Sequence, residues 1–424
     1  MSVPVAVAVL KAVFGDEFVR RFAVRLWDGT AIPARERADF TLVVNSPGAL
    51  RLAFMPPFDL NAGRAFAAGL LDCEGNVESA VDALYAARSN VRAAAFPHLF
   101  GLLRRLPKES LPKLREAGLR GRLHSKERDR AAIGFHYDHP VAFYQSILDR
   151  AMVYSCAYFD DGVTSLDDAQ AAKLDYTLRK LRLAPGERFL DIGCGWGALV
   201  IAAARRGARA LGVTLSVQQH AEAQRRIAAA GLTDLARVEL RDYRDLGAAR
   251  FEKIASIGMF EHVGRENLPE YFGCAYALLE PGGLFLNHGI ADESSRRRNG
   301  RIGGFIGRFV FPDGHLVHIS DALKVAERCG FEVRDVENLR EHYTRTLRCW
   351  VSNIERNRDA AIAVSGEQSY RVWRLYMAGS AHGFRTGRMG VFQSLLAKPR
   401  ADGGSDLPPT RRDLYAKGRP ASDP

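Results

Sequence analysis

Short apolar runs alternate with amphipathic segments along the second part of the chain. Five runs have the length and composition of strands, and we predict strands at Arg188–Gly193, Arg209–Leu215, Arg237–Asp242, Lys253–Met259 and Leu284–Ile290. The spacing of apolar residues predicts helices between them, at Gly197–Arg206, Val217–Ala230 and Leu268–Leu279. This alternation predicts an α/β fold with a doubly wound, mostly parallel sheet.

The pattern changes after the fifth of these strands. The stretches "FEVRDVENL" and "MGVFQSLLAKP" predict two more strands, and a long helical stretch, Tyr343 to Ala381, lies between them. Beyond residue 399 the chain is rich in proline, glycine and charge. We therefore expect residues 400–424 to be a disordered tail.

Residues 1–105 are predicted to form a separate, smaller α+β domain. The stretch "RFAVRLWDGTAI" predicts two short strands around the Asp28-Gly29 turn, and "DFTLVVNSPGALRLAF" predicts a second pair around Ser46-Pro47-Gly48. Helical patterning follows through "VESAVDALYAARSNV". Residues 106–134 are charged and broken by proline, which predicts a basic linker with room for one helix. Residues 135–399 then form the second domain.

Composition narrows the function only slightly. The 424 residues carry a formal net charge of +11 and have an isoelectric point near 9.5. A basic balance suits nucleic acid and an anionic membrane surface equally, and it also arises when arginine merely occupies solvated faces. No apolar run approaches the ~20 residues needed to span a bilayer, and we predict no signal peptide. Six scattered cysteines without a CxxC pair favour a reducing cytosol.

A glycine turn follows the first strand of the second domain, in "FLDIGCGWGALV". Gly193, Gly195 and Gly197 fit both a G-x-G-x-G turn and a dinucleotide-binding pattern. A dinucleotide site needs an acidic residue about 20 positions later, and none occurs in "GVTLSVQQ". An acid, Asp191, instead precedes the glycines. These features favour S-adenosylmethionine over a nicotinamide cofactor.

Several other motifs accompany this turn in a fixed order. They are "HYD", "MVYSCAYFDDG", "GVTLSVQQ", "RDYRDL", "SIGMFEHVG", "NHGI", "FPDGHL" and "HYTRTL". In order and spacing, residues 135–398 closely resemble the cyclopropane-fatty-acyl-phospholipid synthase family of S-adenosylmethionine-dependent lipid methyltransferases. The stretch "GLLDCEGN" more weakly resembles that family's N-terminal lipid-associated domain. The resemblance implies a Rossmann-like class I methyltransferase fold for the second domain.

The resemblance also implies a reaction. The methyl group of S-adenosylmethionine is added to a cis double bond of a phospholipid acyl chain, a proton is lost to a bound bicarbonate, and a cyclopropane ring closes. An alkene is a weak nucleophile, so orientation, worth roughly 7–11 kcal/mol, and exclusion of water must carry catalysis. The residues that match the family's bicarbonate cradle are Cys156, Glu261, His288, Tyr343 and the backbone of Ile290. If Glu261 is buried beside an anion, its pKa should be raised.

Nine further positions match the family's cofactor-binding pattern. Tyr154, Ser155, Gly193 and Gly195 would lie near the amino-acid portion of S-adenosylmethionine, and Asp191 precedes that turn. Thr214 and Gln219 occur where the ribose would be bound. Asp242 and Tyr243 occur at the adenine end.

The chain departs from the family pattern at two places. His139-Pro140 replaces a Gly/Ser-Asn pair, and Val317 replaces a proline, both near the expected entry of the acyl chain. The segment Asn299–Phe311 predicts either a lid that touches lipid or an ordinary loop packed on the sheet.

We expect no metal site. Two histidine pairs, His136/His139 and His315/His318, have a spacing that can suit a metal, but no matching carboxylate or cysteine set accompanies them.

Together these observations predict a cytoplasmic enzyme that associates peripherally with the inner face of the cell membrane. Its partners would be unsaturated phospholipids at an anionic surface, not nucleic acid, and a homodimer remains open. Three alternatives stand. They are a fatty-acyl methyltransferase with a methylene- or methyl-branched product, a methyltransferase acting on a small molecule or RNA, and a non-catalytic lipid-binding protein.

Overall fold

The computed structural model describes residues 2–15, 18, 21–90, 96–137, 139–293, 302–405 and 407–415. These residues form a four-stranded sheet in the N-terminal part and a seven-stranded sheet in the remainder. Three predicted features lie outside the described residues. They are Asp138 of the "HYD" motif, positions 299–301 of the predicted lid, and positions 416–424 of the predicted tail.

The N-terminal unit combines helices with a small mixed sheet of order β2-β1-β3-β4. Its apolar core lies between the sheet and the helices, as expected for a two-layer α+β unit. Its elements are α1 (Ser2–Phe14), β1 (Ala23–Arg25), β2 (Ala31–Ile32), β3 (Phe40–Val44), α2 (Ala49–Phe54), α3 (Phe58–Ala67), β4 (Leu71–Gly75), α4 (Val77–Asn90) and α5 (Phe96–Arg105).

The C-terminal unit is a layered α/β domain whose central strands are buried on both faces, whereas the edge strands β7 and β10 are partly exposed. Its first helices and the parallel strands with their crossovers are α6 (Lys126–Tyr137), α7 (Val141–Gln145), α8 (Leu166–Lys180), β5 (Arg188–Ile192), α9 (Ala198–Arg205), β6 (Arg209–Thr214), α10 (Val217–Ala229), β7 (Ala236–Leu240), β8 (Phe251–Ile257), α11 (Leu268–Leu278) and β9 (Leu279–Asp292). The remaining elements are α12 (Gly304–Phe309), α13 (Ile319–Arg328), β10 (Glu332–Asn338), α14 (Arg340–Arg356), α15 (Arg358–Arg385), β11 (Met389–Ala397) and α16 (Arg412–Tyr415).

The order of the large sheet is β10-β11-β9-β8-β5-β6-β7. Strands β9, β8, β5, β6 and β7 run parallel, and β11 pairs antiparallel with both β9 and β10. The chain moves outward in opposite directions from β5, through β6 on one side and through β8 on the other. The crevice at the carboxyl ends of β5 and β8 is therefore the switch point where doubly wound sheets bind ligands.

The predicted doubly wound α/β fold is confirmed. All seven predicted strands of this domain occur, with boundaries shifted by a few residues, and the long helical stretch divides into α14 and α15. Helix α15 contains a break at Gly366, whose φ is +80°.

Two local predictions differ from the structure. The strand pair expected around Ser46-Pro47-Gly48 is wrong, because only β3 precedes this turn and α2 follows it. The helix buries Leu50, Ala53 and Phe54, a spacing that fits one helix face. In the predicted disordered tail, residues 407–415 are instead folded against the domain, with Leu414 buried and Arg411 paired to Asp335 at 2.8 Å.

Helix α15 of the C-terminal unit contacts the N-terminal unit through hydrogen bonds. The guanidinium of Arg374 is buried and donates to the carbonyl oxygens of Cys73 at 2.9 Å and Gly75 at 3.1 Å, while Glu355 pairs with it at 2.7 Å. A buried cation with all these partners is satisfied, and its removal would leave several acceptors unpaired. The two units therefore share a specific, polar contact beside their apolar cores.

Candidate active site

The glycine turn adopts the geometry that its sequence predicts. Gly193, Gly195 and Gly197 have φ values of +78°, +53° and +81°, a region that only glycine enters readily. No atom lies within 4 Å of the place where a Cβ of Gly195 would stand, so the backbone there faces open space. The neighbouring Cys194 is buried against Gly212 of β6, which explains the small apolar residue inside the turn.

The turn borders a cleft with about 1230 Å³ of empty space at the switch point. All nine residues predicted to bind the cofactor line it: Tyr154, Ser155, Asp191, Gly193, Gly195, Thr214, Gln219, Asp242 and Tyr243. The hydroxyl of Thr214 donates to Oε1 of Gln219 at 2.8 Å, which joins the end of β6 to the first turn of α10. Although burial opposes it, hydrogen bonding to Arg244 holds the pKa of Asp242 below its usual range.

A polar network holds the loop that carries Tyr154, Ser155 and Cys156. The carboxylate of Asp149 accepts from the amides of Ala151 and Val153, each at 2.8 Å. The side-chain amide of Gln170 donates to the carbonyl of Ser155 at 2.9 Å. These bonds fix a loop without regular structure against α8, so its side chains are preorganised at the cleft.

The sequence interpretation missed Lys173, which lines the same cleft. Its ammonium group is fully buried and donates to the hydroxyl oxygen of Ser155 at 3.0 Å. Burial lowers the pKa of Lys173 to about 8. Burial also raises the pKa of Asp191 to about 7, although the positive charge of Lys173 opposes this rise. A sequence signal existed, because Lys173 falls on the buried stripe of α8 together with Leu166 and Gln170.

A second, more apolar cavity adjoins the cleft, with about 840 Å³ of space when the part open to solvent is included. All five residues of the predicted bicarbonate cradle line it: Cys156, Glu261, His288, Ile290 and Tyr343. The two spaces share part of their lining, namely Tyr137, Tyr154, Ser155, Gly258 and His262. The structure thus brings together residues that lie as far apart in the chain as Cys156 and Tyr343.

Glu261 lies in a short 3-10 helix after β8 and contacts the end of β9. Its Oε1 accepts the backbone N–H of Ile290 at 2.7 Å, and its buried Oε2 has no protein partner. Burial raises the pKa of Glu261 to about 7. The resemblance assigns the backbone of Ile290 to bicarbonate, and in this structure the N–H of that backbone is engaged by Glu261 itself.

His288 is held by a residue that the sequence interpretation missed. It is opposite Gln393 in the β9–β11 register, and Nε2 of Gln393 donates to Nδ1 of His288 at 3.2 Å. Burial lowers the pKa of His288 to about 3, so the ring is neutral. With Nδ1 accepting, the proton lies on Nε2, a buried donor without a protein partner. No local pattern marks Gln393, because the pairing joins residues 105 positions apart.

The other two polar side chains of the predicted cradle, Tyr343 and Cys156, are also uncharged. Burial raises the pKa of the Tyr343 hydroxyl and of the Cys156 thiol far above their ordinary values. The thiol donates weakly to the carbonyls of Ala157 at 3.3 Å and Leu339 at 3.7 Å. Cys156 therefore resembles a packed small residue, whereas Tyr343 keeps a hydroxyl in the cavity lining.

The histidine pairs have other partners or positions. His136 contacts the carbonyl of Val310 at 3.0 Å, His139 accepts from Trp373 at 3.3 Å, and His318 contacts Ser320 at 2.8 Å. Within the part of the chain that the structure describes, no three His, Cys, Asp or Glu side chains form a group that could hold a metal ion.

Comparison with known proteins decides the family. Residues 124–394 match the mycolic acid cyclopropane synthetase family, and that range is more than half of the chain. The chain belongs to this family. The predicted resemblance is thereby confirmed, and the protein is an S-adenosylmethionine-dependent methyltransferase of the cyclopropane synthase family.

Relatives of this family differ in how much of the chain they match. A probable fatty acid methyltransferase of Pseudomonas putida is 40% identical over 92% of this chain and 95% of its own. The solved cyclopropane synthase MmaA2 of Mycobacterium tuberculosis is 33% identical with a TM-score of 0.60, and covers 63% of this chain and 98% of its own. The mycolic acid cyclopropane synthase CmaA1, solved with SAH and CTAB, is 34% identical to this chain with a TM-score of 0.60.

The cleft fits the cofactor of this family. It combines open space at the positive-φ glycine turn with a buried carboxylate, Asp191, and a buried ammonium group, Lys173. The amino-acid portion of S-adenosylmethionine bears a positive and a negative charge, and each would have a partner of opposite sign at this end of the cleft. None of the helices in the described ranges has the length and apolarity needed to cross a bilayer.

Proposed function

We propose that this family member transfers the methyl group of S-adenosylmethionine to a cis double bond of an unsaturated phospholipid acyl chain and closes a cyclopropane ring. The observation that supports this most directly is the pair of adjoining spaces. A polar cleft suited to the cofactor meets an apolar cavity, and the uncharged or proton-sharing groups Glu261, His288 and Tyr343 lie along that cavity.

The side chains of the second cavity suit an apolar chain. Its lining is mostly aliphatic and aromatic, and includes Ile306, Phe311, Leu347 and Val391. Such walls hold an acyl chain in one orientation and exclude water from a developing carbocation, which water would otherwise convert to an alcohol. When bound, S-adenosylmethionine supplies the electrophilic methyl group.

The same cavity has polar groups that suit a small anion. The Nε2–H of His288 is a buried donor without a protein partner, and Tyr343 has a hydroxyl there. Oε2 of Glu261 lacks a partner, and because the pKa of Glu261 is near 7, this carboxyl can share a proton with an anion. These three groups would hold bicarbonate, which when bound supplies the base that removes the final proton.

We also propose that the protein works on a phospholipid surface. The net charge of +11 favours attraction to anionic headgroups at the inner face of the cell membrane. Phe58 is an exposed aromatic side chain at the start of α3, and its ring is 5.9 Å from that of Phe96 at the start of α5. We propose, in addition, that the protein forms a homodimer on this membrane surface.

A second candidate product deserves a direct test. Relatives include the probable fatty acid methyltransferase of Pseudomonas putida and the tuberculostearic acid methyltransferase UfaA1, which is 35% identical over 65% of this chain. Those names favour methyl transfer to a fatty acyl chain without specifying ring closure. The alternative product is therefore a methylene- or methyl-branched chain formed in the same cavity.

The decisive experiment incubates the protein with S-adenosylmethionine and vesicles of oleoyl phosphatidylglycerol. Mass spectrometry of the released fatty acids should show a species heavier by one methylene unit. Proton NMR should then show the upfield ring protons of a cyclopropane. Vinylic methylene protons would favour the methylene branch, and a product with two further hydrogens would favour the methyl branch. Absence of any product from unsaturated vesicles would refute the proposed function.

A further inference from the structure

One wall of the second cavity is built by residues 302–316, which we call the cavity wall. The wall includes α12 and contributes five residues to the cavity lining: Ile302, Ile306, Phe311, Gly314 and Leu316. These residues are largely apolar and face the space proposed for the acyl chain. The position of the wall therefore sets the room available to that chain.

The N-terminal unit contacts this wall through α3. The backbone N–H of Phe305 donates to Oδ2 of Asp59 at 2.9 Å. The ring of Phe305 lies on the backbone of Gly63, so close that a Cβ at position 63 would overlap the ring. Phe305 is buried, and its ring is 5.1 Å from that of Phe309 in the same helix.

Other contacts fix the far end of the wall to the catalytic domain. The amide of His315 donates to the carbonyl of Glu261 at 2.9 Å, and Arg128 forms two bonds to Asp313 at 2.6 and 2.8 Å. The ring of Phe311 stacks on that of His136 at 4.1 Å. Because this end of the wall is anchored beside Glu261, a displacement of α12 changes the shape of the cavity without moving the rest of the domain.

The N-terminal unit, which supplies α3, is matched by some relatives and not by others. The match to MmaA2 uses 98% of that chain but only 63% of this one, which leaves no room there for a counterpart of the N-terminal unit. The match to the Pseudomonas putida relative covers 92% of this chain and so includes most of that unit.

We propose that α3 supports one wall of the acyl-chain site, and that Gly63 and Asp59 are positioning residues that set the size of the cavity through Phe305. This inference rests on the proposed function. A methyl group at position 63 displaces the Phe305 ring and shifts Ile306, its neighbour in α12, toward the cavity. Longer acyl chains then lose more binding than shorter ones, because only they need the full space.

The test compares Gly63→Ala with Gly101→Ala as a matched control. Gly101 lies in α5 of the same unit, and no atom lies within 4 Å of the place that the methyl group of alanine would take there, so it tests the substitution without the overlap. We expect Gly63→Ala to lower kcat/KM about five- to tenfold for oleoyl phosphatidylglycerol vesicles and less for palmitoleoyl vesicles. The Kd of S-adenosylmethionine, measured calorimetrically, should stay within about twofold of wild type.

Rescue distinguishes positioning from general damage. Adding Phe305→Ala to Gly63→Ala removes the Cγ and Cδ2 atoms that the new methyl group would overlap, and should restore activity on the longer chain. Asp59→Ala should raise KM for vesicles, whereas Asp59→Asn keeps an oxygen acceptor for the Phe305 amide and should behave like wild type. Equal losses for both chain lengths, or a loss confined to S-adenosylmethionine binding, would overturn the proposal.

A binding measurement separates this proposal from the proposed function. A pyrene-labelled fatty acid should bind Gly63→Ala more weakly than Gly101→Ala, whether or not either protein turns over. If wild type forms no product from any unsaturated vesicle, the proposed function fails. The binding result then still decides the role of α3, and equal binding by both variants counts against it.

Discussion

Glu261→Gln should lower the methyl-transfer activity and raise the free energy of unfolding, and the gain in stability should be larger at high pH. The pKa of Glu261 is about 7 in the folded protein, compared with an ordinary value of 4.5, because its carboxylate is buried. The folded state therefore binds the proton more tightly than the unfolded state. Folding stability then falls as the pH rises from about 4.5 to about 7, while the unfolded chain ionises more readily than the folded one.

The magnitude follows from these two pKa values. At about 1.36 kcal/mol per pH unit, the full cost of ionising Glu261 in place is about 3 kcal/mol above pH 8. Between pH 5 and pH 8 the cost rises by about 2.5 kcal/mol. Glutamine carries no charge at either pH, and its own packing and hydrogen-bonding penalties are the same at both. The change with pH therefore isolates ionisation.

Urea denaturation followed by tryptophan fluorescence at pH 5 and pH 8 measures this difference. Relative to wild type, Glu261→Gln should gain about 2.5 kcal/mol more at pH 8 than at pH 5, while methyl transfer falls sharply. Glu266→Gln is the matched control, because Glu266 is an exposed carboxylate close in the chain that stays solvated. A pH-independent effect of Glu261→Gln, or an equal effect of the control, would show that burial does not perturb Glu261 as argued.

Three further substitutions test separate parts of the site. Tyr343→Phe should lower kcat about 10²-fold, as expected for loss of one donor to the bound bicarbonate, with the Kd of S-adenosylmethionine unchanged; weaker cofactor binding would contradict this role. Gln393→Leu should lower kcat about five- to tenfold because the His288 tautomer loses its donor, which ¹⁵N NMR of labelled histidine reports directly; Ser394→Ala, the adjacent buried position, should leave both unchanged. Gly195→Ala should weaken cofactor binding in calorimetry about tenfold, because alanine is strained at φ +53°, and unaltered binding would mean that the turn relaxes without cost.

Local patterns account for most of what could be predicted. The glycine turn after β5, the strand–helix alternation and the motifs around Tyr154 and Glu261 are each encoded within a few residues, and periodicity or spacing reveals such features. The hairpin predicted after β3 is wrong because that prediction also rested on a local pattern alone. Its turn residues occur equally at the start of a helix, and the packing of Leu50 and Phe54 in the N-terminal core decides between the two.

The sequence by itself thus determined the fold class, the family and the residues that gather at the site. Only the tertiary structure decided their partners: the Ile290 amide belongs to Glu261, Gln393 holds His288, and Lys173 contacts Ser155. It also decided that α3 supports the wall of a cavity in the other unit. Local sequence carries periodicity and backbone preference, whereas a hydrogen bond across strands or domains exists only after distant segments have packed.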